Sequence, residues 1–284
     1  MHPLVSVITT SYNREDYIAE AIESVLSSTY TNLELIIADD CSKDKTVEIA
    51  KSYEAKDQRV KVYVNEKNVG DYPNRNNAAT RAAGEFLMFV DSDDMILKDG
   101  IKKCVAAITH FRGANFGMYS FDKQLKPFEL ESEAALRKHF FKKTFLTVGP
   151  GGTIIRRSFF EQIKGYPEKY GPANDMYFNL KACSYSKIVM LPFEFLFYRL
   201  HEGQEQKNYF SYLHNNYSFF KDALNDLNLP ISKSECKWLD KKNKRRFLVN
   251  ICKFYFKEYN LGKTRDAIKK TGFGFKDALE AVFH

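Results

Sequence analysis

Within the first hundred residues, four short apolar runs alternate with stretches of helical periodicity, and this alternation restricts the fold more than any other feature. The runs cover residues 4–9, 33–38, 60–64 and 86–90 and are rich in Val, Ile, Leu and Phe. Short apolar runs bounded by turn signals read as buried strands. Between the first two, Ile18, Ala21, Ile22, Val25 and Leu26 recur at i, i+3, i+4, i+7 and i+8, which predicts a helix over about 15–28. Further helices are expected at about 45–55 and 73–83. A strand–helix alternation with connections this long predicts a parallel sheet covered by helices on both faces.

In such sheets the ligand crevice lies beyond the carboxyl ends of the strands. Three of the four runs end there in polar clusters: Thr10-Ser11-Tyr12, Asp39-Asp40 and Asp91-Ser92-Asp93-Asp94. Three carboxylates within four residues repel one another, and a divalent cation relieves that repulsion. Oxygen-only sites suit Mg²⁺ or Mn²⁺; a solvated turn capping the next helix is the plain alternative. Asp39-Asp40 suits a nucleobase or ribose, or an ordinary Asx-turn. Arg75, near a helix start, suits a diphosphate, although a surface Arg is the simpler reading. Asn174-Asp175 follows a loop rich in Gly and Pro, and Asp175 is a candidate general base. Helix capping competes with that role, since a helix N-terminus lowers a carboxyl pKa. Arg199 and His201 form a second candidate phosphate contact, against a structural role for a lone His.

The second half is less regular. Helices are expected at about 95–110, 131–143 and 175–185, with strands at 116–121, after the glycine-rich residues 149–152, and between 188 and 198. After residue 205, aromatic residues recur at helical spacing. Charge separates the two parts. Residues 1–200 carry 27 basic and 26 acidic side chains; residues 201–284 carry 16 and 10. The tail holds nearly all of the +7 net charge, which argues against a nucleic-acid groove in the main part. It reads as a basic helical appendage outside the chemistry, either a solvated helix face or a docking surface for an anionic membrane. The five Cys are widely spaced and odd in number, as for reduced thiols in a cytoplasmic protein. The N-terminus lacks the pattern of a signal peptide. No glycine lies between Thr10 and Asp16, which argues against a dinucleotide turn.

The ordered segments Val5 to Asn13, Tyr17 to Leu26, Leu33 to Ser42, Asn68-Val69-Gly70, Arg75-Asn76, Ala83-Gly84-Glu85 and Asp91 to Asp94 resemble the family 2 inverting glycosyltransferases of the GT-A fold. The resemblance covers about residues 4–201. It implies an α/β fold, a Rossmann-like mixed, mostly parallel sheet flanked by helices. Residues 1–204 would form the GT-A domain, with a nucleotide half at 1–100 and an acceptor half at 101–204, and 205–284 would be the basic helical region. It implies transfer from a UDP-sugar donor to a hydroxyl of a glycan or lipid-linked acceptor, with Mn²⁺ or Mg²⁺, in bacterial surface polysaccharide synthesis. The setting would be cytoplasmic or peripheral on the inner face of the membrane, with no nucleic-acid partner. Carried over residue by residue, Thr9, Tyr12, Asp39 and Asp40 would line the nucleotide pocket. Arg75 would contact the diphosphate. Asp91, Ser92 and Asp93 match the DxD motif, with Asp94 a further candidate metal ligand. Asp175 would be the base, and Arg199, His201 and Asn174 would touch phosphate or acceptor. Three positions depart from the family pattern: Asn174 replaces a Glu, Cys41 a common Gly and Gln204 a Ser. Two other classes compete, a non-catalytic nucleotide-sugar-binding protein and an interaction protein docking through its basic tail.

Overall fold

The computed structural model describes residues 2–122, 124–200 and 209–282. His201, Gln204 and the boundary at 204–205 lie outside them.

The first hundred residues fold as β1 (Val5–Ser11), α1 (Ile18–Leu26), β2 (Leu33–Asp39), α2 (Thr46–Glu54), β3 (Val60–Val64), α3 (Asp71–Ala79) and β4 (Phe86–Phe89). β1 pairs in parallel with both β2 and β4, and β2 with β3. Side chains alternate across the sheet, as the strand period requires. Val5 and Val7 of β1 and Phe86 and Met88 of β4 face one core with α1 and α2. Ile8, Leu87 and Phe89 face the other with α3. α1 starts three residues later than its periodicity suggests, because the turn at Arg14 closes first: its carbonyl accepts from the amides of Tyr17 and Ile18.

Beyond β4 come β5 (Met95–Ile96), α4 (Gly100–His110), β6 (Phe116–Tyr119), β7 (Phe128–Leu130), α5 (Ser132–Phe141), β8 (Thr153–Arg156), α6 (Arg157–Gln162), α7 (Asn174–Tyr185), β9 (Ile188–Leu191) and β10 (Leu196–Phe197). The complete sheet runs β3-β2-β1-β4-β8-β6-β9-β7, with β8 antiparallel to β4 and β6, and β7 antiparallel to β9. The mixed, mostly parallel sheet expected from the sequence is thus present. The expected helix at 95–110 is shorter. Met95 and Ile96 instead pair with Leu196 and Phe197, and the helix begins at Gly100, where a Cβ would lie 2.4 Å from the Phe195 carbonyl oxygen.

The tail is helical, as expected: α8 (Tyr209–Asp226), α9 (Lys233–Glu258), α10 (Leu261–Thr271) and α11 (Phe275–Val282). Ser232 and Glu235 form a capping box at the start of α9. The tail divides its apolar residues. Phe219, Ala223 and Leu224 of α8 and Leu239 of α9 join the core shared with α3 and α7. Leu213, Tyr217, Phe247, Ile251, Phe254, Ala267 and Phe273 form a separate small core. Among the described residues, no helix is long and apolar enough to cross a membrane, and the five cysteines are free.

Candidate functional site

The carboxyl ends of β1, β2 and β4 open into one cleft of about 1630 Å³. Tyr12, Asp40, Arg75, Asp91, Ser92, Asp93 and Asp94 line it from the strand side, and Asn174 and Asp175 from the opposite side. Thr9 and Asp39 are fully buried and do not reach the cleft surface. The Asp39 carboxylate accepts from the Ser42 amide at 2.8 Å and from the hydroxyls of Ser42 and Ser11 at 2.6 and 2.9 Å. It therefore braces the turn beneath Asp40. Asp40 in turn accepts from the amides of Val69 and Gly70, each at 2.8 Å, and from Asn65 Nδ2 at 2.9 Å. Between these two acids and the next helix, Cys41 takes φ = +68°, a left-handed conformation that favours glycine.

Arg75 sits on α3 and is only 4% exposed. Its Nη2 donates to Asp91 Oδ1 at 2.6 Å. Nε forms an ion pair at 2.9 Å with Asp71, one turn earlier, but points off the hydrogen-bond axis. Nη1 is buried with no hydrogen-bond partner among the described residues. A buried guanidinium with an unmet donor is costly unless a ligand acceptor completes it, so this atom could serve an anion.

Carboxylate oxygens of Asp91, Asp93 and Asp94 come within 4.8 Å of one another. Burial, opposed by Arg75 and reinforced by Asp71 and Asp93, raises the Asp91 pKa. Burial and the neighbouring Asp91 push Asp94 up to about 7, although the Arg199 amide donates to its Oδ1 at 3.0 Å. Asp93 Oδ2 is met by Arg14 Nε at 3.2 Å. Three carboxylates this close, with one of them already facing a cation, are a donor set that fits a small hard divalent ion.

The opposite side depends on α7. Asn174 is not the side-chain cap suggested by its position. It is the first helical residue, and its Oδ1 accepts from the Tyr170 amide at 2.9 Å, closing the loop before the helix. Asp175 follows it. Its Oδ1 accepts from the Met176 amide at 2.6 Å. That bond and Arg75 lower its pKa, but burial outweighs them and carries it up to about 7. The weakening expected from the helix start is therefore overcome by the enclosing protein, while part of Asp175 remains open to the cleft. The Arg199 side chain is not among the cleft-lining residues: its Nε donates to the Asp93 carbonyl and its guanidinium pairs with Glu20, while its backbone amide meets the Asp94 carboxylate.

Some cleft residues were not anticipated from the sequence. Arg14 lies just beyond the Tyr12-Asn13 motif and Asp71 just after Asn68-Val69-Gly70, so adjacency to those motifs was an available signal. Ser211 and Tyr212 come from α8, in the tail expected to stand outside the chemistry. α8 also holds the loop before Asp175, since Asp222 accepts from Tyr170 Oη and Lys169 Nζ, each at 2.8 Å. No local pattern marks these contacts.

A model of glycosyl transferase family 2 matches residues 6–164, more than half of the chain. A Bacillus subtilis (strain 168) glycosyltransferase named for teichuronic acid biosynthesis, TuaG, is 48% identical over 101 residues, covering 36% of this chain and 40% of its own length. The Campylobacter jejuni GalNAc(5)-diNAcBac-PP-undecaprenol beta-1,3-glucosyltransferase is 28% identical over 184 residues, 63% of this chain and 60% of its own. Each match thus spans less than two thirds of the relative. Among solved structures, Staphylococcus aureus TarS 1-349 in complex with UDP-GlcNAc superposes with a TM-score of 0.74 at 23% identity, over 98% of this chain and 81% of that one. The mannosyltransferase PcManGT from Pyrobaculum calidifontis, in complex with GDP-Man and Mn²⁺, gives 0.65 at 13% identity, over 100% and 88%. Both likenesses concern the fold.

Proposed function

Because the chain belongs to glycosyl transferase family 2, we propose that it transfers a sugar from a UDP-sugar to a hydroxyl of a glycan or lipid-linked acceptor, with inversion, in polysaccharide biosynthesis. The observation that carries this reading is the pairing, across one cleft, of the buried and incompletely bonded Arg75 with an Asp175 poised near neutrality. The first suits a diphosphate and the second suits a general base.

On this reading Tyr12 and Asp40 receive the nucleobase, with Asp39 and Thr9 buttressing the pocket from beneath. Arg75 takes the diphosphate, and Ser92 lies beside it. Asp91, Asp93 and Asp94 would hold Mn²⁺ or Mg²⁺; when bound, the ion would neutralise charge on the carboxylates and on the departing diphosphate. Asp175 accepts the acceptor hydroxyl proton as that oxygen bonds to the anomeric carbon. The bond from that carbon to the phosphate oxygen breaks, and its electron pair leaves with the nucleotide. An α-linked donor gives a β-linked product. Attack by Asp175 itself is not needed, so the proton is its only cargo.

The UDP assignment draws support from the TarS likeness, but PcManGT holds GDP-Man on the same fold. The deciding experiment is a thermal-shift screen of UDP- and GDP-sugars with Mn²⁺, followed by a transfer assay. UDP-sugars should stabilise the protein, and Asp175→Asn should lose transfer while still binding nucleotide. A response to GDP-sugars alone overturns the donor; turnover by Asp175→Asn overturns the base. Activity that persists in EDTA overturns the metal.

A further inference from the structure

The outer face of α9 is built unlike the rest of the surface. Its buried stripe, Leu239, Asn243, Phe247, Ile251 and Phe254, faces inward. On the opposite side, Trp238, Lys242, Arg245, Val249, Cys252 and Phe256 follow one another at three- and four-residue spacing, and all are exposed. On a helix that spacing forms one continuous line, about 27 Å long at 1.5 Å per residue. Large apolar groups and cations therefore share one solvent-facing line.

Two further observations extend it. Trp238 stacks at 5.8 Å on Phe141, an exposed residue that ends α5, so the line continues onto the main domain beside exposed Lys142. Several nearby acids are already engaged, Glu235 with Arg137, Asp240 with Lys244, and Asp122 with Lys138 and Lys143, and among the described residues no ion pair involves Lys242 or Arg245. The cationic charge of the face is thus not cancelled locally. Lys242 lies 4.7 Å from the Trp238 ring centre, so a cation and an aromatic are offered together.

We propose that this face, with Trp238 and Phe141 at one end and Phe256 at the other, docks the protein on an anionic lipid bilayer. Charge complementarity selects the occupant. Lys and Arg meet anionic headgroups, while the interleaved Trp, Phe and Val enter the boundary between headgroups and acyl chains. Nucleic acid would use the cations but offer no apolar medium to the aliphatic and aromatic groups. The proposal goes beyond the catalytic reading and does not depend on the donor or acceptor.

The chain contains a single Trp, and it lies on this face, so it reports on its own docking. The test follows Trp238 emission and co-sedimentation of the full chain with vesicles of phosphatidylcholine, alone or mixed with phosphatidylglycerol. The mixed vesicles should sediment the protein and shift the emission to the blue, and rising salt should weaken both effects. Pure phosphatidylcholine should do neither. The double variant Lys242→Glu, Arg245→Glu should lower the bound fraction by about tenfold, and Phe256→Ser should weaken the salt-resistant part of binding. Neither variant alters a cleft residue, so an unchanged thermal shift with nucleotide shows that the fold is intact. Equal binding to both vesicles, wild-type binding by the double variant, or an equal blue shift with double-stranded DNA would each overturn the proposal.

Discussion

The two walls of the cleft are built differently. On the strand side, each acid sits at or just beyond a strand end and is held by neighbours in the sheet, the next loop or α3. Asp39 is fixed by Ser11 and Ser42, Asp40 by Val69 and Gly70, and Asp91 by Arg75. On the other side, Asp175 depends on a loop closed by Asn174 and tied to Asp222, which arrives from α8 after a further run of the chain. The first wall is made by register, the second by docking. The first should be robust and the second adjustable, and substitutions can test that contrast.

The largest effect is expected at Asp175. Asp175→Asn should lower kcat by about a thousandfold, within the usual range for removing a general base, while nucleotide affinity stays nearly constant. In the parent protein activity should rise with pH through about 7, as the carboxyl loses its proton. Stability runs the other way. A carboxyl raised in the folded state is protonated there after the unfolded chain has released its proton, so rising pH from about 4 to 7 costs stability. The Asn variant escapes that cost and should melt higher than its parent above pH 7. A flat pH–rate profile, or equal melting temperatures, would remove burial as the source of the shift.

Next comes Arg75, the anchor of the strand wall. Arg75→Ala leaves Asp71 and Asp91 without their buried cation, and should cost about 3–5 kcal/mol by denaturant titration. Arg75→Lys keeps the charge but loses the fork. If that variant folds normally, nucleotide affinity should still drop by about tenfold in calorimetry. Unchanged affinity would mean that the unmet Nη1 is not aimed at a ligand.

The docked wall responds in a different way. Tyr170→Phe removes one bond to the loop before Asp175, and Asp222→Asn weakens the two that meet at its carboxylate, each worth about 1–3 kcal/mol where a charged acceptor is involved. Each should lower kcat several-fold and leave nucleotide binding alone. A matching loss in nucleotide affinity would show that the two walls are coupled, and would end the contrast. The smallest effect is expected at Cys41. Cys41→Gly relieves a left-handed residue and should stabilise the protein by about 1 kcal/mol, less whatever is lost from the Sγ contacts with Lys43 and the Glu66 carbonyl. A lower melting temperature would show that those contacts outweigh the strain.

The same division governs how much could be read from the amino-acid order. The alternation of the first hundred residues determined the parallel core, and it placed Asp39-Asp40 and Asp91 to Asp94 at one rim, because strand ends in such a sheet converge whatever the later chain does. Adjacency to motifs would have led to Arg14 and Asp71. What each of the paired acids does was not decided there. Only packing separates Asp39, sealed beneath the turn, from Asp40, which is only 4% exposed but lines the cleft. Asp175 makes the point most sharply. Its place at a helix start predicts a weak base, and local chemistry does pull that way, yet the surrounding protein raises it instead. Desolvation depends on everything that encloses a group, and such neighbours are brought together only by the fold. For the same reason the tail reads in sequence as an appendage, whereas α8 supplies Ser211 and Tyr212 to the cleft and Asp222 to the loop before Asp175. Periodicity determined that it is a helix; tertiary contact decided which of its sides meets the site.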